Sequence, residues 1–493
     1  MQIVPDRANF EKLAKKHNLI VLSHKFYCDW LTPVAAYHNL SRSFKQKSFL
    51  LESVEGEDKV CRYSFLGFDR LCSFKSRGAA IEIDGVIKRR FKTATDPIDE
   101  LKKIVKTFSV APREHLRFFG GFVGYLGYDL VRFYEPVGRK KESMLNAYDT
   151  YLVLPKFLVI FDHVKKQIEI LYFVPIDGKR GVTLAYRKAC AALERFYLWI
   201  SAPKKLTPLG FIPKKLNFKS NYTKKDFCAA VEKGKRHIKE GDIIQVVLSQ
   251  RLSVNFKKDP FSVYRYLRVL NPSPYMFYLD FKDICICGSS PEMLLRCENG
   301  ELITHPIAGT RPRAGTDIED ARSAADLLAD IKERAEHIML VDLARNDLGK
   351  VAKSASVNVS EFMKVEKFSH VMHIVSEVRA KLAAKQDIFS AFVSCFPAGT
   401  LSGAPKVRAM QIINDIEPMA REIYGGAVGY FSFTNSLDTC IIIRTVIFKG
   451  GKAYIQAGAG IVYDSQPVKE YMETFNKARA QLLTLELAAG ERK

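Results

Sequence analysis

The sequence predicts an α+β protein built as two domains or one large compound domain, and three observations carry that reading. Its 493 residues exceed the usual span of a single hydrophobic core. A hydrophobic fraction of 47% with 26% charged residues describes an ordinary globular chain. Periodicity then divides it: short alternating or apolar runs dominate residues 1–200, whereas strands and helices alternate after residue 220.

In the first part, Ser48–Ser53, Ala80–Ile87 and Tyr151–Phe161 read as strands, and Pro97–Phe108 as a helix or turn between them. The run FGGFVGYLGYDLVRFYE (Phe119–Glu135) spaces glycines among aromatics, a pattern for strands whose backbones approach closely. Residues 201–220, with three prolines and five lysines, are the expected linker between an N-terminal domain, 1–200, and a second domain, 221–493. Beyond it, Tyr222–Gly241 reads as a helix entered at Ser220 or Thr223, and Ile243–Leu252 as a strand carrying Gln245. Strands are expected at Met276–Phe281, Ile284–Gly288 and Leu302–Pro306, with helices at Ala321–Leu343, Ile388–Ser394 and Lys406–Ile416. The end reads as strands Ala427–Phe433, Asp438–Phe448 and Ala453–Val462 and a closing helix, Val468–Ala488.

Composition excludes several classes. There is no run of about 18 apolar residues, so no membrane span is expected, and no secretory h-region opens the chain. Ten scattered cysteines without a CxxC pair argue for a reduced, cytoplasmic setting. The net charge of +22 invites a nucleic-acid partner, but it splits into +12 over residues 1–200 and +10 over the rest. With no basic tail or block, no nucleic-acid binding is expected.

Chemistry concentrates in the second part. In DIKERAEHIMLVDLARND (Asp330–Asp347), Ile331, Ala335, Ile338, Met339, Val341 and Leu343 recur at helical spacing, and Glu333 and Glu336 stand three apart on one face. Glu470 and Glu473 repeat that spacing 137 residues later. Paired carboxylates repel unless neutralised, and hard oxygen ligands suit Mg²⁺. Glu292 follows a Gly-Ser-Ser-Pro turn that can hold a carboxyl at a sheet edge, as general-acid work requires. His373 lies in an apolar strand-like run and offers a base matched to neutral pH. Thr400 stands in a small-residue loop before a helix, where backbone N–H groups bind anions. Arg444 reads as an arginine inside a buried strand, which must be paired and whose fork suits a carboxylate. Gly458, Ala459 and Gly460 let backbone amides approach a carboxylate, and Lys477 lies one helical turn beyond Glu473. Together these outline a Mg²⁺ site for a di-carboxylate with an acid and a base at hand.

LLES, GDIIQVVLSQR, NPSPYMFYL, GSSPE, PIAGTRPR, AEHIMLVDLARND, GTLSGAPKVRAM, YGGAVGYFSF, DTCIIIRT and AGAGIVYDS follow one another in order. From about residue 20 to 485 the chain thereby resembles the chorismate-utilising enzymes, and within them the anthranilate synthase component I branch. The resemblance implies two β-sheets packed as a sandwich with helices outside. It implies a lyase, with chorismate and ammonia as substrates, Mg²⁺ as cofactor, and anthranilate and pyruvate as products. It further implies that Glu336 and Glu473 ligate the metal while Glu333 and Glu470 bear on its waters. Glu292 is then the acid that protonates the leaving C4 hydroxyl, with His373 beside the ring. Gln245, Gly309, Thr310, Tyr424, Arg444, Gly458, Ala459 and Gly460 contact substrate, and Thr400 and Lys477 complete the catalytic pocket.

Two positions bear on the product. Relatives that add water at C2 carry a lysine base where Gln245 stands, and glutamine takes no proton from water. Many aminodeoxychorismate synthases, the alternative reading, carry a lysine nucleophile where Ala308 stands. No cysteine sits in a G-x-C-x-G setting, so a separate glutamine amidotransferase subunit is the expected ammonia source. Leu51, Glu52, Ser53, Asn271, Pro274, Tyr275, Met276 and Cys440 resemble the pocket through which L-tryptophan inhibits these enzymes. One departure from the family's TRPRG is the extra Ala314, where a local loop shift is expected.

Overall fold

Two antiparallel sheets, linked by two long strands, form the body of the molecule. The structure, a computed structural model, describes residues 1–44, 47–53, 62–113, 116–178, 181–202, 204–313, 315–367 and 371–490. The expectation at Ala314 lies outside the described residues. The first sheet runs in the order Leu19–Tyr27, Gln167–Pro175, Thr150–Asp162, Tyr63–Arg77, Ser48–Glu52, Tyr275–Asp280, Cys285–Ser290, Thr445–Lys449, Lys452–Ile461 and Gln245–Asn255. Tyr63–Arg77 and Thr150–Asp162 then continue into the second sheet. There they pair with Ala80–Gly85 and Gly121–Leu126. The latter leads on to Ala427–Ser432, Leu437–Ile441, Met293–Glu298, Glu301–Thr304 and Val371–Lys381. Ile307–Pro312 and Asn358–Lys367 flank that last strand. The crossing is marked by a bulge between Arg70 and Cys72 opposite Pro155, the kind of irregularity that lets a strand change sheets.

Strand alternation explains why the sheets stack. Phe49, Phe277 and Leu279 enter the core between the sheets, while Leu50, Met276 and Tyr278 face outward. The outward face is covered by helices, among them Pro33–Ser41, Val182–Ser201, Pro260–Leu270 and Pro467–Gly490, through Tyr37, Phe196, Tyr264 and Leu485. The glycine-spaced run behaves as its pattern predicts: a Cβ on Gly121 would lie 2.0 Å from the Phe431 carbonyl oxygen, and one on Gly124 2.0 Å from that of Tyr151. Residues 1–200 and 221–493 share both sheets, through Ser48–Glu52 beside Tyr275–Asp280 and Gly121–Leu126 beside Ala427–Ser432. No described helix is long and apolar enough to cross a membrane.

Three expectations change. The helix expected over Ala321–Leu343 is two, Asp317–Ala329 and Ile331–Gly349. They meet at Asp330, whose extended backbone ends the first and whose carboxylate caps the second at Lys332 and Glu333. Of the stripe read in that second helix only Val341 is fully buried. Ile331 and Ile338 are 82% and 43% exposed, and beside Val341 the helix is held through His337, Leu340 and Leu348. The strand expected over Asp438–Phe448 is broken, and Arg444 lies in the break with φ 52°, a left-handed turn that re-aims it.

Candidate active site

The candidate residues gather where the strand Gln245–Asn255 and its neighbour Lys452–Ile461 meet the helices Ile331–Gly349 and Pro467–Gly490. Gln245 Nε2 donates to Glu336 Oε1 at 2.7 Å, tying that strand to the helix. A Cβ on Gly460 would lie 2.7 Å from that same Nε2 and 4.0 Å from the Glu336 carboxylate, so glycine leaves room there. Glu333 accepts from Arg311 Nη1 at 3.3 Å, and Arg311 also pairs with Asp330 at 2.8 Å. Glu473 pairs with Lys477 at 2.7 Å, and Lys477 Nζ donates to the Gly458 carbonyl at 3.2 Å. The two helices face one another closely enough for Lys332 to bear on the Glu470 carboxyl.

One member of each glutamate pair is shifted upward, by burial first and by its neighbour's charge second. Partial burial, and then the neighbouring Glu336, raise the Glu333 pKa above the usual carboxylate range. Glu470 is raised by burial and by Glu473, against a hydrogen bond with Ser465 and the charges of Lys477 and Lys332. Protein donors hold these carboxylates, and no three of them bring ligand atoms within 4.8 Å of one another. Among the described residues, the one trio of potential ligand atoms within 4.8 Å is His237, Glu240 and Asp242, where Arg408 already pairs with Asp242 at 2.7 Å. Four half-buried carboxylates on two facing helices are nevertheless a hard-oxygen donor set, and a divalent cation would relieve both repulsions.

Glu292 and His373, the candidate acid and base, both lie within electrostatic reach of Lys477. Glu292 sits between Cys285–Ser290 and Met293–Glu298, its carbonyl accepting from Ile441 N at 3.1 Å. Its side chain is buried, and burial pushes its carboxyl up to about 7, against opposing pulls from Thr400 and Lys477. The Thr400 hydroxyl, on the turn Gly399–Leu401, is itself buried without a hydrogen bond of good geometry, and a small cavity joins it to Glu292. His373 Nδ1 lies 2.7 Å from the Gly309 carbonyl and 3.2 Å from Thr310 Oγ1. A carbonyl only accepts, so the neutral ring carries its hydrogen on Nδ1 and Nε2 is the basic nitrogen. Burial, reinforced by Arg444 and Lys477, lowers its pKa and keeps it neutral. Arg444 donates to the Lys477 carbonyl, within electrostatic reach of Tyr424 and Glu473. Tyr424 is buried, its phenol pushed up to about 12 by burial, and its hydroxyl would lie 3.0 Å from a Cβ on Gly458.

A second cavity forms away from this pocket, at the seam of the two sheets. Leu51, Glu52, Ser53, Pro274, Tyr275, Met276 and Cys440 line it together. Asn271 does not; its amide donates to Ser289 Oγ at 2.7 Å, bracing the strand that leads to Glu292. Residues that sequence reasoning missed complete the wall: Arg117, Arg296 and Asp438, with Arg296 Nε 3.0 Å and Tyr275 hydroxyl 2.9 Å from the Asp438 carboxylate. Arg311, which holds Glu333, was also missed, although it stands inside the PIAGTRPR run. These charges lie far from their partners in sequence and are met only across the folded sheets.

Fold and site define a class. Residues 47–483 match the model of the chorismate binding enzyme family, and the chain belongs to that family. Within it the chain stands with anthranilate synthase component 1. The protein of that name from Aquifex aeolicus is 46% identical over 97% of each chain. The crystal structure of anthranilate synthase component I from Streptococcus pneumoniae superposes with a TM-score of 0.77 at 38% identity, covering 85% of this chain and 92% of that one. The menaquinone-specific isochorismate synthase of Escherichia coli, 19% identical with a TM-score of 0.73 over 97% of this chain and 98% of that one, shares the fold.

Proposed function

We propose that this chain converts chorismate and ammonia to anthranilate and pyruvate, the reaction of an anthranilate synthase component I. One observation supports the reading best: Glu292 and His373 both lie within reach of Lys477, which pairs with Glu473, and no lysine stands at Gln245 or Ala308. Gln245 is spent on Glu336 and has no basic atom to activate water, which favours ammonia, already a nucleophile. Ala308 gives no amine for covalent attack, which counts against aminodeoxychorismate synthesis.

Glu336 and Glu473 would hold Mg²⁺ directly, with Glu333 and Glu470 bearing on its waters, and the ion would neutralise the ring carboxylate of the bound substrate. Glu292 acts in its protonated form, which burial keeps substantially populated near neutral pH by raising the carboxyl to about 7, and gives its proton to the C4 hydroxyl as that leaves. The Arg444 guanidinium and the amides of Ala459 and Gly460 receive a carboxylate, and Tyr424 and Thr310 bound the ring. His373, its Nδ1 held by Gly309, presents a basic nitrogen toward the elimination of pyruvate. Ammonia comes from a glutamine amidotransferase subunit, and the cavity at Ser53 takes L-tryptophan as inhibitor. The free thiols of the nine described cysteines support a reducing, cytoplasmic setting.

The test is a fluorescence assay of the purified chain with chorismate, Mg²⁺ and an ammonium salt, the product identified by mass. Anthranilate forms without a partner, and replacing ammonium with glutamine gives none until an amidotransferase subunit is added. Accumulation of aminodeoxychorismate, or no turnover with either nitrogen source, overturns the proposal.

A further inference from the structure

Three pieces of the pocket come from separate parts of the chain: Gln245 on its strand, Thr400 on the turn that leads into Gly403–Ala404, which pairs with the start of that strand, and Tyr424 on the segment after helix Lys406–Ile416. One fully buried side chain reaches all three segments, through Val247, Leu401 and the Tyr424 ring. The guanidinium of Arg421, 1% exposed, donates through Nη1 to the Leu401 carbonyl at 2.6 Å and through Nη2 to the Val247 carbonyl at 2.6 Å. Its remaining donors grip Glu417 at 2.7 and 2.9 Å. Glu417 in turn accepts from the backbone N–H and hydroxyl of Ser249, both at 2.8 Å, returning the connection to the Gln245 strand. The guanidinium also lies 5.7 Å from the Tyr424 ring centroid and 5.0 Å from that of Tyr128.

The segment that delivers Tyr424 needs holding. Glu422 sits at φ 55°, a left-handed backbone that a non-glycine residue keeps only when its surroundings over-determine it. They do: its carboxylate accepts from Arg251 Nη1 at 2.8 Å and from the amide of Leu145 at 2.9 Å, and its own N–H donates to Asp129 at 2.9 Å. Arg251 also donates to the Ala420 and Arg421 carbonyls at 3.0 and 2.8 Å. Burying two arginines with two glutamates is costly and brings little net stability over an apolar core. What a planar five-donor fork does supply is fixed geometry among several acceptors at once.

We propose that Arg421 is a positioning residue of the reaction described above: it sets Tyr424, the Thr400 turn and the Gln245 strand in register with one another from behind the pocket. The inference rests on that proposed reaction. The test is a double-substitution cycle on the full chain, measuring kcat and KM for chorismate in wild type, Arg421→Lys, Tyr424→Phe and the pair. Lysine keeps the charge but cannot make four donor contacts in a plane, so kcat/KM falls roughly tenfold, the scale on which small misplacements act. The two losses combine to clearly less than their product, because the part of the Arg421→Lys effect that runs through Tyr424 is already lost when Tyr424 is replaced, while the part that runs through the Thr400 turn and the Gln245 strand remains. Losses that multiply, or wild-type kinetics in Arg421→Lys, overturn the proposal, because a merely structural arginine acts independently of Tyr424. If Arg421→Lys does not accumulate folded, Glu417→Gln loosens the same guanidinium and enters the same cycle under the same criteria. Absence of anthranilate from wild type would fault the reaction, not the positioning.

Discussion

Replacing Glu292 with glutamine separates burial from catalysis in a single variant. Burial raises the Glu292 carboxyl from 4.5 to about 7, so the folded chain holds this proton more tightly than the unfolded chain does. The sign follows from linkage. Below the unfolded pKa both states are protonated and no penalty exists; between 4.5 and about 7 the penalty grows; above that it is fully developed. Two and a half units at roughly 1.4 kcal/mol each come to about 3 kcal/mol. Glutamine has no proton to lose, so Glu292→Gln becomes more stable than wild type by about 3 kcal/mol at pH 8 and by under about 1 kcal/mol at pH 5. Urea unfolding of both proteins at the two pH values measures this. Anthranilate fluorescence supplies the second readout, with free ammonia held constant across pH. The wild-type kcat/KM for chorismate falls as pH rises through about 7, and the glutamine variant loses roughly 10²–10⁴-fold, the usual share of a positioned acid. An equal stability difference at pH 5 and pH 8 would refute the burial argument, and a glutamine variant within tenfold of wild type would refute the acid.

Other perturbations follow from the same geometry. Glu336→Gln and Glu473→Gln should each cost at least roughly 100-fold in turnover, as expected of a metal contribution of several kcal/mol, and abolish the thermal stabilisation by Mg²⁺; unchanged Mg²⁺ dependence in either would exclude it as a ligand. Ser53→Phe fills the cavity at the sheet seam and should relieve inhibition by tryptophan with the uninhibited rate unaltered; inhibition curves that superpose on wild type would remove Ser53 from that site. Gly121→Ala sets a Cβ 2.0 Å from a backbone carbonyl oxygen at φ 142°, and should destabilise by at least about 3 kcal/mol in urea unfolding. A loss under about 1 kcal/mol would mean that the two strands can part there at little cost.

Much of the chain was legible before folding, because period and turn chemistry are local properties. Pro97–Thr107, Ser48–Glu52 and Lys406–Ile416 stand within a residue or two of their expected places. The Phe119–Glu135 glycines marked backbone contact without naming the partner strands, Thr150–Asp162 and Ala427–Ser432. The glutamate pairs were visible as i,i+3 repeats, and ordered motifs named the candidates for acid, base and cradle. Local reading failed where tertiary contacts override pattern. Ile331 and Ile338 carry the helical period yet face outward, because the buried side of that helix is chosen by what it packs against, including the His337 hydrogen bond to Ser376 at 2.6 Å. Arg444 stands in an apolar run that any periodicity argument makes a strand, and only the fold turns its backbone left-handed. Chemical identity along the chain thus decided which groups could act. The tertiary structure decided which of them are neutral, paired or aimed at one another, since a raised carboxyl at Glu292 or a fork at Arg421 exists only once distant segments have excluded water around it.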